Sequence, residues 1–144
     1  MLIYLDNCTF NRPFDNQKQG QIYLETVCKL KIQDAIAKKL FELAWSYILD
    51  YENSANPFAE KRDAISGWKK YASVDIGETE QILLNANKLS ELNIKPKDGL
   101  HIASAIEMNC DFFITTDRAL IKKCCALRQL VVLNPIDLVD KINF

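Results

Sequence analysis

Glycine is scarce in this chain. Four glycines in 144 residues leave little for a phosphate-cradling loop, and neither G-x-G-x-x-G nor G-x-x-x-x-G-K-[ST] occurs. Histidine is scarcer still: His101 is the only one, which excludes a multi-histidine zinc centre. The five cysteines, Cys8, Cys28, Cys110, Cys124 and Cys125, are odd in number, and no two have C-x-x-C spacing. They are read as reduced structural thiols, not a zinc or redox site. No apolar run approaches the roughly 20 residues that span a membrane. The opening MLIYLDN has no basic segment before its apolar residues and is too short for a signal peptide, so a cytoplasmic location is expected. A dominant charge of one sign is absent too. Eighteen Lys and Arg against 19 Asp and Glu give a net charge of −1, so bulk composition gives no sign of a nucleic-acid binder. Any such surface must come from a local patch: Lys61–Arg62, Lys69–Lys70, Lys95 with Lys97, or Arg118 with Lys122 and Lys123.

What the chain does have is an ordinary apolar fraction, 49%, and enough length for one domain, residues 1–144, to bury a real core. The apolar run Leu2–Leu5 reads as a first strand ending at Asp6. Asn7–Asn16, with Arg12-Pro13 and Asp15-Asn16, reads as a loop. From about Gln17 to Leu40 the period is helical, with Tyr23, Val27 and Leu30 on one face, then Ile32, Ile36 and Leu40. Leu43–Ser46 reads as a second short strand and Tyr47–Ser54 as a helix. Pro57 suits the first turn of another helix carrying Ala64, Trp68 and Tyr71 inward. Ser73–Ile76 is a minor strand. Glu78–Leu92 is a helix with Ile82, Ala86 and Leu89 on one face. A helix restarts at Pro96 and runs to about Asn109. Strand Phe112–Ile114, a helix from about Asp117, strand Leu130–Leu133 and a helix after Pro135 close the chain. Trp45 and Trp68 are expected in the core. Alternating strands and helices predict an α/β fold with a mostly parallel sheet covered on both faces.

The absence of a G-x-S-x-G elbow, and of a D-x-D after the first strand, leaves carboxylates as the available chemistry. Ligands of an open parallel sheet bind outside the carboxyl ends of its strands. Asp6 and Asp117 stand at two such ends, Asp98 lies in the first turn of the Pro96 helix, and Glu52 follows the second strand. If these four converge they repel one another unless a cation shares them. All-oxygen ligation selects a hard ion, Mg²⁺ or Mn²⁺, and such a site hydrolyses phosphodiesters. Each acid also has a plain structural reading. Asp117 suits a helix cap, Asp98 complements a helix dipole, Asp6 suits an Asx turn, and Glu52 suits a solvated helix face. His101 reads as a packed or surface imidazole.

Four pieces taken in order resemble the PIN-domain nucleases, in particular the VapC-like toxins of toxin–antitoxin pairs. "IYLDN" supplies Asp6 after an apolar strand. "SYILDYE" supplies Ser46 and, six residues on, Glu52. "KDGLHIASAIE" supplies Asp98, His101, Ala103 and Ala105, and "DFFITTD" runs from Asp111 through Thr115 to Asp117. "LVVLNPIDLV" is similar to the family's last strand and Pro-led helix, so the likeness covers essentially the whole chain. It implies a compact three-layer α/β/α sandwich in which Asp6, Glu52, Asp98 and Asp117 hold Mg²⁺ or Mn²⁺. It also implies endonucleolytic cleavage of an RNA substrate by a metal-activated water, leaving a 5′-phosphate. An antitoxin partner and a homodimer follow from the same likeness. Asp50 competes with Glu52, but two residues apart on a helix they point about 200° apart, and the step from Ser46 favours Glu52.

The chain departs from that pattern in places. Asp6-Asn7-Cys8 stands where the family usually has D-T-N, so Asn7 is the candidate supporting residue or else a turn former. Thr115 is a second supporting candidate or an ordinary strand end. Gly99 replaces the usual Ala at a helix-propensity cost of roughly 1 kcal/mol. Arg12 reads as an exposed loop arginine. Two other readings stand beside the nuclease. One is a non-catalytic PIN-like module that binds RNA or a partner protein. The other is a receiver-like phospho-acceptor domain, for which Asp75 is the only candidate acceptor.

Overall fold

The computed structural model describes residues 1–143. Its element order is β1 (Leu2–Leu5), α1 (Asn7–Asn11), α2 (Gly20–Ala37), β2 (Glu42–Ser46), α3 (Tyr47–Ser54), α4 (Ala59–Ser66), β3 (Ala72–Ile76), α5 (Glu80–Leu89), α6 (Pro96–Glu107), β4 (Phe112–Ile114), α7 (Arg118–Lys123), β5 (Val131–Leu133) and α8 (Pro135–Ile142). The five strands form one sheet in the order β3-β2-β1-β4-β5, and every pairing is parallel. The sequence predicts a mostly parallel sheet, and the pairing is parallel throughout. In the order β3-β2-β1-β4-β5 the chain moves one way across the sheet from β1 to β3 and the other way from β3 to β5. Parallel crossovers are right-handed as a rule, so the two sets of helices cover opposite faces in three layers. α8 returns to pack on α2, and α5 packs on α6.

The central strands are buried on both faces, as their unbroken apolar runs require. Ile3, Tyr4, Leu5, Leu43, Ala44, Trp45, Phe113 and Ile114 are fully enclosed. Trp68 packs against this core from outside. α5 buries Ile82 and Leu89 as its periodicity predicts. The break before α6 is made by Asn93 in the left-handed conformation (φ 61°) and by Pro96 at the first helical position.

Four local expectations need correction. Asn7–Asn16 is not a loop: it holds α1 and a 3₁₀ turn over Arg12–Phe14. Asp6 nucleates α1 by accepting the Thr9 N–H on its side chain at 3.0 Å, a cap that outweighs the loop-forming look of the segment. Arg12 is no free surface arginine. It pairs with the buried Glu25 at 3.3 Å and with Asp15 at 3.0 Å. α2 turns the other way from its apolar periodicity: Tyr23, Leu30 and Leu40 are exposed, and only Ile32 and Ile36 of the expected set are buried. Its inward side carries Glu25, Thr26, Lys29 and Gln33 instead. α4 begins at Ala59, after Pro57, and buries Ile65, while Ala64 and Tyr71 are exposed.

Candidate functional site

β1 and β4 are hydrogen-bonded neighbours, and β1 continues toward β2 while β4 continues toward β5. The sheet therefore has its switch point between them, where a crevice opens beyond the strand ends. Asp6 follows β1 directly, and Thr115, Thr116 and Asp117 follow β4. α6 brings Asp98 to the same end, and β2 leads through Ser46 into α3, which carries Glu52. Asp98 senses the charges of the other three acids. Partial burial raises the pKa of Asp98, and the charges on Asp117, Asp6 and Glu52 raise it further. Asp98 makes no hydrogen bond to offset this.

The other three acids are each tied to the protein. Asp6 Oδ1 accepts from the Thr9 N–H and the Thr9 hydroxyl, both at 3.0 Å. Its Oδ2 receives the Cys8 thiol, at 3.4 Å. Burial raises the Asp6 pKa even though the Thr115 hydroxyl and the Thr9 N–H pull it down. Asp117 Oδ1 caps α7 by accepting the Leu120 N–H at 3.1 Å. The helix-cap reading of Asp117 is thus correct, and its second oxygen remains free. Glu52 Oε1 is bonded to His101 Nε2 at 2.7 Å. Its partial burial raises its pKa, but the hydrogen bond to His101, the Lys97 charge and the Asn7 side chain outweigh this and lower it. Asp50 turns away from the crevice, to Trp45 Nε1 and Lys69 Nζ, both at 2.9 Å.

The supporting candidates sit among these acids. Thr115 accepts the Asp117 backbone N–H at 3.1 Å on the hydroxyl that faces Asp6. Asn7 faces Glu52 with one end of its amide, while its Oδ1 is buried with no hydrogen-bond partner. Cys8 puts its sulfur against Asp6, and the loss of water around it, with the Asp6 charge, raises the thiol's pKa so that it stays protonated. An open cleft of about 540 Å³ runs from Glu52 and Asp98 past Lys95, Pro96 and Lys97. One of the basic patches seen in sequence therefore borders the acids. Among the described residues, no three His, Cys, Asp or Glu side chains already stand close enough to form a closed metal cage.

Two residues that sequence reasoning left out belong to this site. His101 is buried at 2% exposure and touches Glu52 with one ring nitrogen. Its Nδ1 meets the hydroxyl of Tyr4 at 2.5 Å, and that hydroxyl meets Ser46 Oγ at 2.6 Å. A signal was present in spacing: Tyr4 stands two residues before Asp6 on a strand, and His101 three after Asp98 on a helix, each on its acid's own side.

Asp75, the acceptor that a receiver-like reading needs, lies on edge strand β3 and pairs with Lys69 at 3.6 Å. It is two strands away from β1 and has no part in the crevice. None of the five cysteines is in a disulfide, and among the described residues no helix is long and apolar enough to cross a membrane.

No family model and no curated protein matches the sequence. Solved structures do match the fold. One is FitAcB from Neisseria gonorrhoeae, with 15% identity over 92% of this chain and 97% of the matched chain, at a TM-score of 0.61. A second is VapBC2 from Rickettsia felis bound to a DNA fragment from their promoter, with 18% identity over 93% and 98% at 0.59. A third is VapBC-1 from nontypeable Haemophilus influenzae, with 17% identity over 94% and 98% at 0.54.

Proposed function

We propose that this chain is a metal-dependent endoribonuclease, the nuclease of a toxin–antitoxin pair. The observation that carries the reading is Asp98: a carboxylate with no hydrogen bond, facing the charges of Asp6, Glu52 and Asp117. Such crowding opposes folding unless a cation relieves it. The donor set fits Mg²⁺ or Mn²⁺. Its oxygens are hard, one oxygen on each of the other three acids lacks a strong internal partner, and the orphaned Asn7 Oδ1 lies beside them. In this reading Asp6, Glu52, Asp98 and Asp117 hold the ion, and Asn7 and Thr115 support them. A bound ion activates water and neutralises charge on phosphodiester oxygens. The chain's own contribution is to fix the acids on four elements and to hold the RNA backbone. Lys95 and Lys97, on the wall of the cleft, suit phosphate contacts.

The matched structures are two-protein complexes, which supports an antitoxin as partner. The exposed side of α2, with Tyr23 and Leu30, offers apolar surface for that partner or for a second copy of the chain. Free thiols throughout suit action in the cytoplasm.

The test is cleavage of a mixed structured RNA pool with Mn²⁺ or Mg²⁺, beside EDTA and an Asp6→Asn/Asp98→Asn double variant. Cutting that needs both metal and acids supports the nuclease. A folded protein that cuts nothing with metal, yet retains RNA or a partner, supports a second reading. That reading is a PIN-like binding module without catalysis, and it is favoured by the thiol of Cys8 on Asp6 Oδ2 and by the lack of a closed cage.

A further inference from the structure

We infer that Ser46, Tyr4 and His101 form a one-way hydrogen-bond relay that positions Glu52 and sets the spacing of the acids before any metal arrives. The inference rests on the metal-site reading above. The direction follows from counting hydrogens. A carboxylate oxygen accepts, so the proton in the 2.7 Å bond to Glu52 Oε1 belongs to His101 Nε2. In the neutral ring Nδ1 is then an acceptor. The hydroxyl of Tyr4, fully buried, donates to Nδ1 at 2.5 Å. The Tyr4 oxygen is left to accept, so Ser46 donates to it at 2.6 Å. Ser46 Oγ in turn accepts the Leu49 N–H at the start of α3, at 3.4 Å. Every hydrogen in the chain is used once.

The elements that these residues occupy give the relay its purpose. Tyr4 is on β1 with Asp6, His101 is on α6 with Asp98, and Ser46 caps the helix that carries Glu52. The relay ties three acid-bearing elements to one another through buried groups. Tyr4 also stacks on Phe113 of β4 with centroids 5.0 Å apart. The Tyr4→Phe variant keeps that stack and removes one hydroxyl only. Tyr4 and His101 are positioning residues, since they act through Glu52.

Because His101 is the only histidine, its ring nitrogens give unambiguous long-range ¹H–¹⁵N signals. In the wild-type chain at pH 8 a single Nε2–H tautomer is expected. An Nδ1–H ring, a tautomer-averaged ring or a doubly protonated ring overturns the relay. Tyr4→Phe should leave in place the Nε2–H tautomer that Glu52 holds, and weaken Mn²⁺ binding, followed by the electron paramagnetic resonance of free Mn²⁺, about tenfold. His101→Leu should weaken it at least as much, and the double variant no further, because one chain is being broken twice. Unchanged Mn²⁺ affinity in a folded Tyr4→Phe variant, or additive losses in the double variant, refutes the positioning role. If the wild-type chain binds no Mn²⁺, the metal-site reading fails and takes the positioning role with it, while the ring spectrum still decides the relay's direction.

Discussion

A β-carbon on Gly99 would meet the carbonyl oxygen of Ala86 at 3.3 Å and its Cα at 3.7 Å. α6 therefore lies against the backbone of α5 at the residue next to Asp98. The helix-propensity cost of glycine, roughly 1 kcal/mol, is the cost of that approach, and it brings Asp98 to the crevice. Gly99→Ala gains propensity and loses a few tenths of an ångström of room, so its stability should stay within about 1 kcal/mol of wild type. Gly99→Val, which adds branched bulk against Ala86, should lower Tm by several degrees and weaken Mn²⁺ binding as Asp98 moves outward. Thermal melts with and without Mn²⁺ read both effects.

Asp98→Asn should stabilise the metal-free protein. The folded-state pKa of Asp98 is raised by partial burial and then by three neighbouring carboxylates. The unfolded chain ionises more readily, so the native state loses stability as pH climbs from the ordinary carboxylate value through the raised one, and it carries that loss at neutral pH. Removing the charge removes the loss. Melts at pH 7.5 without metal should show a higher Tm, by about 3 °C. Excess Mn²⁺ should reverse the order, raising the wild type and leaving Asp98→Asn nearly unmoved. A variant less stable than wild type in EDTA would mean that the acids do not repel.

The sheet and most helices were legible because their signals are local. Apolar runs marked β1, β2, β4 and β5, while Pro96 and Pro135 marked helix starts. The switch point was legible through chain order, since alternating elements force parallel strands and Asp6 and Asp117 end two of them. Two of the misreadings share one cause: partners distant in sequence. α2 looked as if it buried Tyr23 and Leu30, yet its inward side holds Glu25, which Arg12 and Asn134 satisfy from elsewhere. The His101 relay was hidden for the same reason, because Tyr4 and His101 are 97 positions apart. Asn7–Asn11 became helical through a side-chain cap that composition does not register.

The Arg12–Glu25 pair gives a stability prediction independent of function. Glu25 is 2% exposed and is held by Arg12 at 3.3 Å and by the Asn134 amide. Arg12→Ala leaves a buried carboxylate without its cation and should cost about 3 kcal/mol. Adding Glu25→Gln should restore a good part of that loss, because the orphaned charge disappears. Urea melts of the two single variants and the double variant measure the coupling. A double variant no more stable than Arg12→Ala would show that Arg12 acts through packing alone.

Lys29 is the opposite case, a buried cation that forms no ion pair among the described residues. It is 5% exposed, and its Nζ lies 5.7 Å from the centre of the Phe10 ring. Loss of water lowers its pKa from 10.5 to about 8. The unfolded chain thus holds this proton over a range where the native state has released it. Native stability rises as pH climbs from about 8 toward 10.5, and below that window the protein carries the whole penalty. Lys29→Met keeps the length of the side chain and removes the charge. At pH 7 it should stabilise the fold by on the order of 2 kcal/mol. The gain should shrink steadily between pH 8 and pH 10, as the wild-type amine loses its own charge. Urea midpoints for both proteins across that range give the result. A gain that stays constant with pH would assign it to apolar burial, and no gain at pH 7 would mean that the amine finds water or an acceptor in the native state.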